Sequence, residues 1–464
     1  MKLRIPIFFH SSHFTLLPAS AWLPRLGLGR PELRAWALYD WANSAFVTTV
    51  IAAVFPIYFS SVAAADLPPV VATARFAMAT TIALAIIAVL APFLGALADA
   101  RPIKKKLLAA FLGLGVVATA GMSLIQRGQW EFAALLFMLG NIGVAGSFIF
   151  YDALLPHIAS DEEMDRVSTA GYALGYLGGG LLLAVNLAVI QYPTFFGLTD
   201  AAAASRLSFF TVAVWWLVFS LPLFRSVREP SLPTGTRRDE PPLRASVMRL
   251  GKTLRRLRGY KQAFLFLVAF LLYNEGIGTI IRMAAVYGTE IGIPQSALIT
   301  AILLVQFVGI PCSFVFGALA GRMGAKRAIF LSLVVYTLVS VIGYFMTTAL
   351  HFYLLAILVG IVQGGSQALS RSLFAGMIPR AQSSEFFAFF AVGEKFAGIL
   401  GPATFAVMIL ATGSSRNALL AVVVFFIVGG TLLAFVNVAE GQRAARAGEG
   451  PPRRGQPHRA PVPT

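Results

Sequence analysis

Twelve apolar stretches follow one another along this chain, at roughly 36–61, 75–98, 105–126, 131–153, 168–191, 207–225, 263–287, 296–321, 327–348, 352–377, 385–411 and 417–438. Each has about the 20 residues needed to cross a hydrocarbon core. Lipid satisfies no backbone hydrogen bond, so such segments must be helices. The expectation is an all-α integral membrane protein with twelve transmembrane helices. The chain is 58% hydrophobic and only 12% charged, against roughly 25% charged in soluble domains. Too few charges remain to cover a water-facing surface.

The net charge of +17 is segregated rather than spread. Of 37 Lys and Arg, four (Arg75, Arg127, Arg206, Arg416) fall on one side of the membrane, two (Arg282, Lys395) deep within spans, and the other 31 on or, like Arg371, toward the opposite side. That asymmetry marks the cationic side as cytoplasmic. It predicts a multi-pass protein of the cell (inner) membrane with both termini cytoplasmic. The basic charge is a topology signal with some attraction to anionic lipid, and no nucleic-acid partner is expected.

The run Gly95-Ala-Leu-Ala-Asp-Ala-Arg-Pro-Ile-Lys104-Lys105-Lys106 returns, altered, as Gly317-Ala-Leu-Ala-Gly-Arg-Met-Gly-Ala-Lys326-Arg327. Leu155-Pro156 is followed by Gly175 and Gly178, and Ile378-Pro379 by Gly398 and Gly401, at 19 and 22 residues in both cases. Repeats half a chain apart predict two pseudo-symmetric six-helix halves, the architecture of a transporter that rocks one half against the other. The segments are then a cytoplasmic leader (1–34), an N-terminal half (35–225), a basic cytoplasmic linker (226–262), a C-terminal half (263–438) and a disordered cytoplasmic tail (439–464). Within the linker, Val247, Leu250, Leu254 and Leu257 share one face of a basic segment. That pattern suits an interfacial helix on an anionic leaflet, or a solvated linker.

The single cysteine, Cys312, rules out an intrachain disulfide framework. The five His form no ligand-like cluster, and neither a Walker loop nor a strand followed by GxGxxG occurs. No metal, cofactor or catalytic residue is expected, and the protein is read as a monomer that is not an enzyme.

The repeated loop resembles the signature Gly-x-Leu-Ala-Asp-Arg-x-Gly-Arg-Arg between spans two and three of the major facilitator superfamily. The first copy has Ala100 and Pro102 where Arg and Gly are usual; the second has Gly321 in place of Asp. Three longer blocks narrow the resemblance. They are Ala35-Trp-Ala-Leu-Tyr-Asp-Trp-Ala-Asn-Ser-Ala-Phe46, Arg166-Val-Ser-Thr-Ala-Gly-Tyr-Ala-Leu-Gly-Tyr-Leu-Gly-Gly179, and Gln367-Ala-Leu-Ser-Arg-Ser-Leu-Phe374 with Glu385-Phe-Phe and Lys395-Phe-Ala-Gly-Ile-Leu-Gly-Pro402. Together these are similar to the facilitator branch that includes the fungal autophagy-linked vacuolar amino-acid effluxers. The resemblance runs from Arg34 to Val438 and implies the major facilitator fold, with spans one, four, seven and ten lining a central path.

Ionisable groups inside hydrocarbon are expensive and face the bundle interior, so they are candidates for function. Asp40, Asp152, Glu275, Arg282, Arg371, Glu394 and Lys395 are the set. Asp40, Asp152 and Arg371 lie toward the cytoplasmic ends of spans one, four and ten. Their shared depth and opposite sign predict a gate, with Gly95, Asp99, Arg101, Gly317 and Arg322 of the repeated loops as further gating residues. Glu275, Glu394 and Asp40 are the candidates for proton coupling.

Glu275 and Arg282, seven residues apart on one helical face, either neutralise each other or hold the two ends of a zwitterion. Asn141, Gln363 and Lys395 complete the substrate-binding candidates. The expectation is a secondary transporter of a small polar solute, an amino acid being effluxed, with proton coupling. A drug or sugar facilitator is the alternative, and an integral-membrane enzyme a more distant one.

Overall fold

The computed structural model describes residues 23–230, 255–291, 293, 295–391, 404, 408 and 415–447. Among these there is no strand, and eleven helices are long and apolar enough to cross a membrane. In the N-terminal half they are α1 (Pro31–Ala63), α2 (Pro69–Ala100), α3 (Lys104–Gly121), α4 (Trp130–Ile158), α5 (Met164–Gln191) and α6 (Ala201–Ser226). The C-terminal half has α7 (Lys261–Glu290), α8 (Gln295–Met323), α9 (Ala325–Tyr344), α10 (Ala349–Gly376), a helix α11 described over 383–391, and α12 (Ser415–Phe435). A short helix α13 (Val438–Ala447) follows. Most of the expected span at 385–411 lies outside the described residues, as do most of the linker's apolar face and residues 448–464.

Pairing repeats between the halves. Helix α1 packs on α6 as α7 packs on α12, α2 on α4 as α8 on α10, and α3 on α4 as α9 on α10. Across the halves, α5 packs against α8 and α10. Small residues allow these approaches: a Cβ at Gly178 of α5 would lie 2.6 Å from the Trp41 carbonyl of α1. Outward-facing Val89, Val117, Val424 and Ile427 are exposed, as a lipid-facing belt requires. Helix α1 departs from α geometry over Phe46–Val54, where its turns widen to the π form.

The loops at 101–103, 159–163 and 377–382 and the α8–α9 turn at Gly324 share one end of the bundle, called here the basic face. The repeated cations do matching work there. Lys105 Nζ donates to the carbonyls of Phe224 and Val227 at 2.8 and 2.5 Å, and Lys326 Nζ to those of Ala434 and Val436, both at 2.8 Å. Each lysine thus satisfies orphan carbonyls at the end of the last helix of its half. Gly324 sits at φ 86, a left-handed conformation that explains the glycine at that position of the second loop.

Two expected boundaries change. The end of the leader is folded: Leu28 and Leu33 are buried, and the Arg30 guanidinium donates at 2.7 Å to both the Ile158 carbonyl and Glu163. The start of the tail is helical rather than disordered, because α13 buries Gly441 and Ala445 against the basic face.

Candidate functional site

Among the described residues, a concentration of buried charge lies between the halves near the basic face. Trp36 and Asp40 stand one turn apart on α1, Tyr151 and Asp152 are adjacent on α4, and Ser168 and Tyr172 stand one turn apart on α5. The i, i+4 spacings put Trp36 with Asp40, and Ser168 with Tyr172, on a single helix face. Into this group reaches Arg371 of α10, whose side chain is 3% exposed. Its Nη2 donates to Asp40 Oδ2 at 3.2 Å and to the Ser168 carbonyl at 2.9 Å. Nη1 donates to Asp152 Oδ1 at 3.2 Å, and Nε to Ser168 Oγ at 2.8 Å.

Three rings surround the same guanidinium. Its Cζ lies 4.6 Å from the centre of Tyr172, 4.8 Å from that of Trp36 and 5.7 Å from that of Tyr151. A buried arginine is tolerable only when its donors are satisfied and its charge is countered. Two carboxylates, a hydroxyl, a carbonyl and three π faces do both. The room comes from Gly171: a Cβ there would lie 3.1 Å from Arg371 Nη2, 3.2 Å from the Trp36 ring, and closer still to Asp40 Oδ2.

A second tie between the halves uses the first repeated loop. Asp99 accepts from the backbone N–H of Ser384 at 3.2 Å and of Glu385 at 2.7 Å, at the first turn of α11. Lys104 Nζ pairs with Asp99 and donates to Ser384 Oγ at 2.9 Å. Gly95 must be small, because a Cβ would lie 2.6 Å from the Ser384 carbonyl. In the second copy Gly321 replaces the aspartate, and Lys326, at the register of Lys104, turns instead to the end of α12. Gly317 abuts Thr169 of α5.

Further contacts at the same face join the halves. Ser168 Oγ donates to the Ala368 carbonyl at 2.8 Å, Ser372 Oγ to Asp165 Oδ1 at 2.5 Å, and His157 Nε2 lies 3.1 Å from Ser383 Oγ. Outside the spans, Ser160 and Glu163 exchange reciprocal side-chain-to-backbone hydrogen bonds in the turn that leads into α5. Burial opposes ionisation of Glu163, but the Ser160 backbone N–H and the Arg30 guanidinium outweigh it and hold the carboxyl below its usual range.

On the inner side of Arg371 lies a cavity of about 60 Å³ lined by Phe148, Asp152, Tyr172, Phe270, Asn274, Gln367, Arg371 and Phe390. Both halves contribute, so a solute there would touch α4, α5, α7 and α10 together.

The structure thus brings Asp40, Asp152 and Arg371 together, and Gly95 and Asp99 to a second cross-half contact. Arg101 and Arg322 are exposed at the basic face, outside both clusters. Glu275 is buried in α7, but its neighbour Asn274 lines the cavity. Asn141 donates to the Phe137 carbonyl of its own helix at 2.8 Å, and the Gln363 carbonyl accepts from Ser366; Gln367, one turn on, is the cavity residue. The Arg282 side chain, Glu394 and Lys395 lie outside what is described.

Charge alone did not point to Trp36, Tyr151, Ser168, Tyr172, Asn274 or Gln367. Trp36, Ser168, Tyr172 and Gln367 do fall in the blocks that carry the family resemblance, and their spacing to Asp40 and Arg371 was the available signal.

Residues 29–446 match the family model described as "Vacuole effluxer Atg22 like". A Bacillus subtilis protein described as an uncharacterized MFS-type transporter, YxiO, is 38% identical over 411 residues, covering 87% of this chain and 94% of that one. Autophagy-related protein 22-1 of Penicillium rubens is 27% identical over 311 residues, 61% of this chain and 50% of the fungal protein. Among solved structures, FucP in its outward conformation superposes with a TM-score of 0.64 at 13% identity, covering 89% of this chain and 99% of that chain. The proton:xylose symporter XylE superposes at 0.65 and 13%, covering 91% and 98%. At such identity these two show the fold alone: the major facilitator fold. The relatives and structural neighbours are transporters rather than enzymes, and the chain is a multi-pass membrane transporter belonging to the Vacuole effluxer Atg22 like family of the major facilitator superfamily.

Proposed function

We propose that the protein effluxes a small polar solute of the amino-acid class by alternating access, with the basic face toward the cytoplasm and Arg371 as its gate. The observation that carries this reading is the Arg371 tie to Asp40 and Asp152, which links the C-terminal half to two helices of the N-terminal half. Breaking it exposes the central cavity to the basic side; remaking it closes that side. Removing one partner by mutation leaves a buried charge uncompensated in the closed state, at a cost of about 3–5 kcal/mol, so such a variant shifts toward the parted state. The family description supports efflux, and the cation asymmetry supports the orientation.

Helix α7 offers the solute an arginine, Arg282, and an acid, Glu275, seven residues apart. The planar guanidinium fork suits a carboxylate. Glu275, buried among apolar spans, suits a proton carrier whose charge state follows its surroundings.

Purified protein screened by thermal shift against amino acids, sugars and drugs tests the solute class. A true ligand at about 100 times its dissociation constant stabilises by about 2.7 kcal/mol. Amino acids should stabilise the protein, their carboxamides should not, and Arg282→Lys should erase the difference. Stabilisation by a sugar or drug alone sinks the amino-acid assignment and leaves the transporter.

A further inference from the structure

The cage around Arg371 belongs almost entirely to the other half. Trp36, Asp40, Tyr151, Asp152, Ser168 and Tyr172 all lie on α1, α4 and α5, and Arg371 is the visitor. The cage walls are tied to each other without it. Trp36 Nε1 donates to the Tyr151 carbonyl at 2.9 Å, and the two rings stack with centroids 4.4 Å apart and planes 13° from parallel. When the halves part at the basic face, Arg371 leaves with α10 and these walls remain. What remains is two carboxylates beside three π faces, a combination that selects a flat or soft organic cation over a hydrated metal ion.

We infer that this cage is a binding site for a solute carrying a guanidinium or alkylammonium group, occupied by the Arg371 side chain whenever the basic face is closed. The inference rests on the gate reading above and names the cationic end of the solute. Arg371 is then a tethered competitor. A solute cation that takes its place binds only the parted state, and so draws the protein toward it by the difference in affinity. Return of Arg371 expels the cation inward, because Asp152 and Tyr172 line both the cage and the cavity of about 60 Å³. From Asn274 on the cavity wall, Arg282 lies eight residues further along α7, about 12 Å at the α-helical rise.

A tether of this kind gives Arg371 an effective concentration on the order of millimolar, so a free competitor must be supplied at tens of millimolar. Methylguanidine is the cationic probe, with N-methylurea as its neutral isostere and sodium chloride matching ionic strength. The first measurement uses full-length protein with Cys312→Ser and Ala368→Cys. The Ala368 carbonyl is buried under Ser168 at the junction of the halves, so maleimide labelling reports parting of the basic face.

Methylguanidine should speed labelling several-fold in a saturable way, while N-methylurea and salt should not. In Arg371→Ala, methylguanidine should raise the melting temperature, and adding Asp152→Asn should remove the response. If Arg371→Ala does not fold, the labelling measurement decides alone. The cage assignment is overturned if methylguanidine behaves like N-methylurea. If Arg371→Ala labels fast without ligand yet ignores methylguanidine, the gate stands and the cage falls. If it binds methylguanidine but labels no faster, the cage stands and the gate falls.

Discussion

Asp99 accepts the backbone N–H of Glu385 at 2.7 Å, so a carboxylate at the end of α2 caps the first turn of α11 in the other half. A helix start presents unpaired N–H groups and partial positive charge, and Asp99 can reach this one only while the halves are together. The cap, the Asp99–Lys104 pair and the Arg371 cluster therefore act on the same conformational equilibrium from separate places.

Asp99→Ala should loosen the basic face without unfolding either half. A lost cap costs about 0.5–2 kcal/mol, and Lys104 loses its counter-charge. The check is maleimide labelling of Ala368→Cys, which should accelerate, alongside a modest fall in melting temperature. Labelling unchanged from the parent would show that the cap does not hold the face shut.

Gly171→Ala should be far more disruptive than an ordinary glycine substitution in a helix. The new Cβ meets Asp40, Arg371 Nη2 and Trp36, and overpacking of this kind costs about 1–3 kcal/mol. Gly180→Ala, whose Cβ meets nothing nearer than Gln306 at 3.5 Å, is the control on the same helix. Equal melting temperatures for the two variants would count against the cage geometry.

Arg371→Lys should fail to restore the gate despite keeping the charge. An ammonium has three donors on one atom, whereas Arg371 spreads four hydrogen bonds over three nitrogens. Transport should fall nearly as far as in Arg371→Ala. Near-parental transport in the lysine variant would reduce the site to a simple charge pair.

Glu163 gives a pH dependence of known sign. Its carboxyl titrates below the usual range, held there against burial by Ser160 and Arg30. Its contribution is complete above the unfolded-state carboxylate pKa and is lost as pH falls through the lowered folded-state pKa. Parent and Glu163→Gln should therefore differ in melting temperature at pH 7 and converge under acid. A gap that persists unchanged under acid would place the stabilisation elsewhere than in the carboxylate.

Much of this protein is legible in its sequence because a bilayer imposes local rules. A span is about 20 apolar residues, its backbone must be helical, and cations collect on one side. Those rules place the apolar spans and single out the charges worth watching, Asp40, Asp152 and Arg371 among them. They do not set how each helix is turned. Spans that are apolar all round carry little record of which side faces a neighbour, so Asn274 rather than Glu275 on the cavity wall was not readable. Nor was Gln367 in place of Gln363, or the turning of Lys326 to α12 while Lys104 stays with Asp99. The meeting of Arg371 with Asp40, 331 positions away, exists only because both halves fold and pack. Tertiary structure decided it: one guanidinium had to find two carboxylates and three rings in the half that did not encode it.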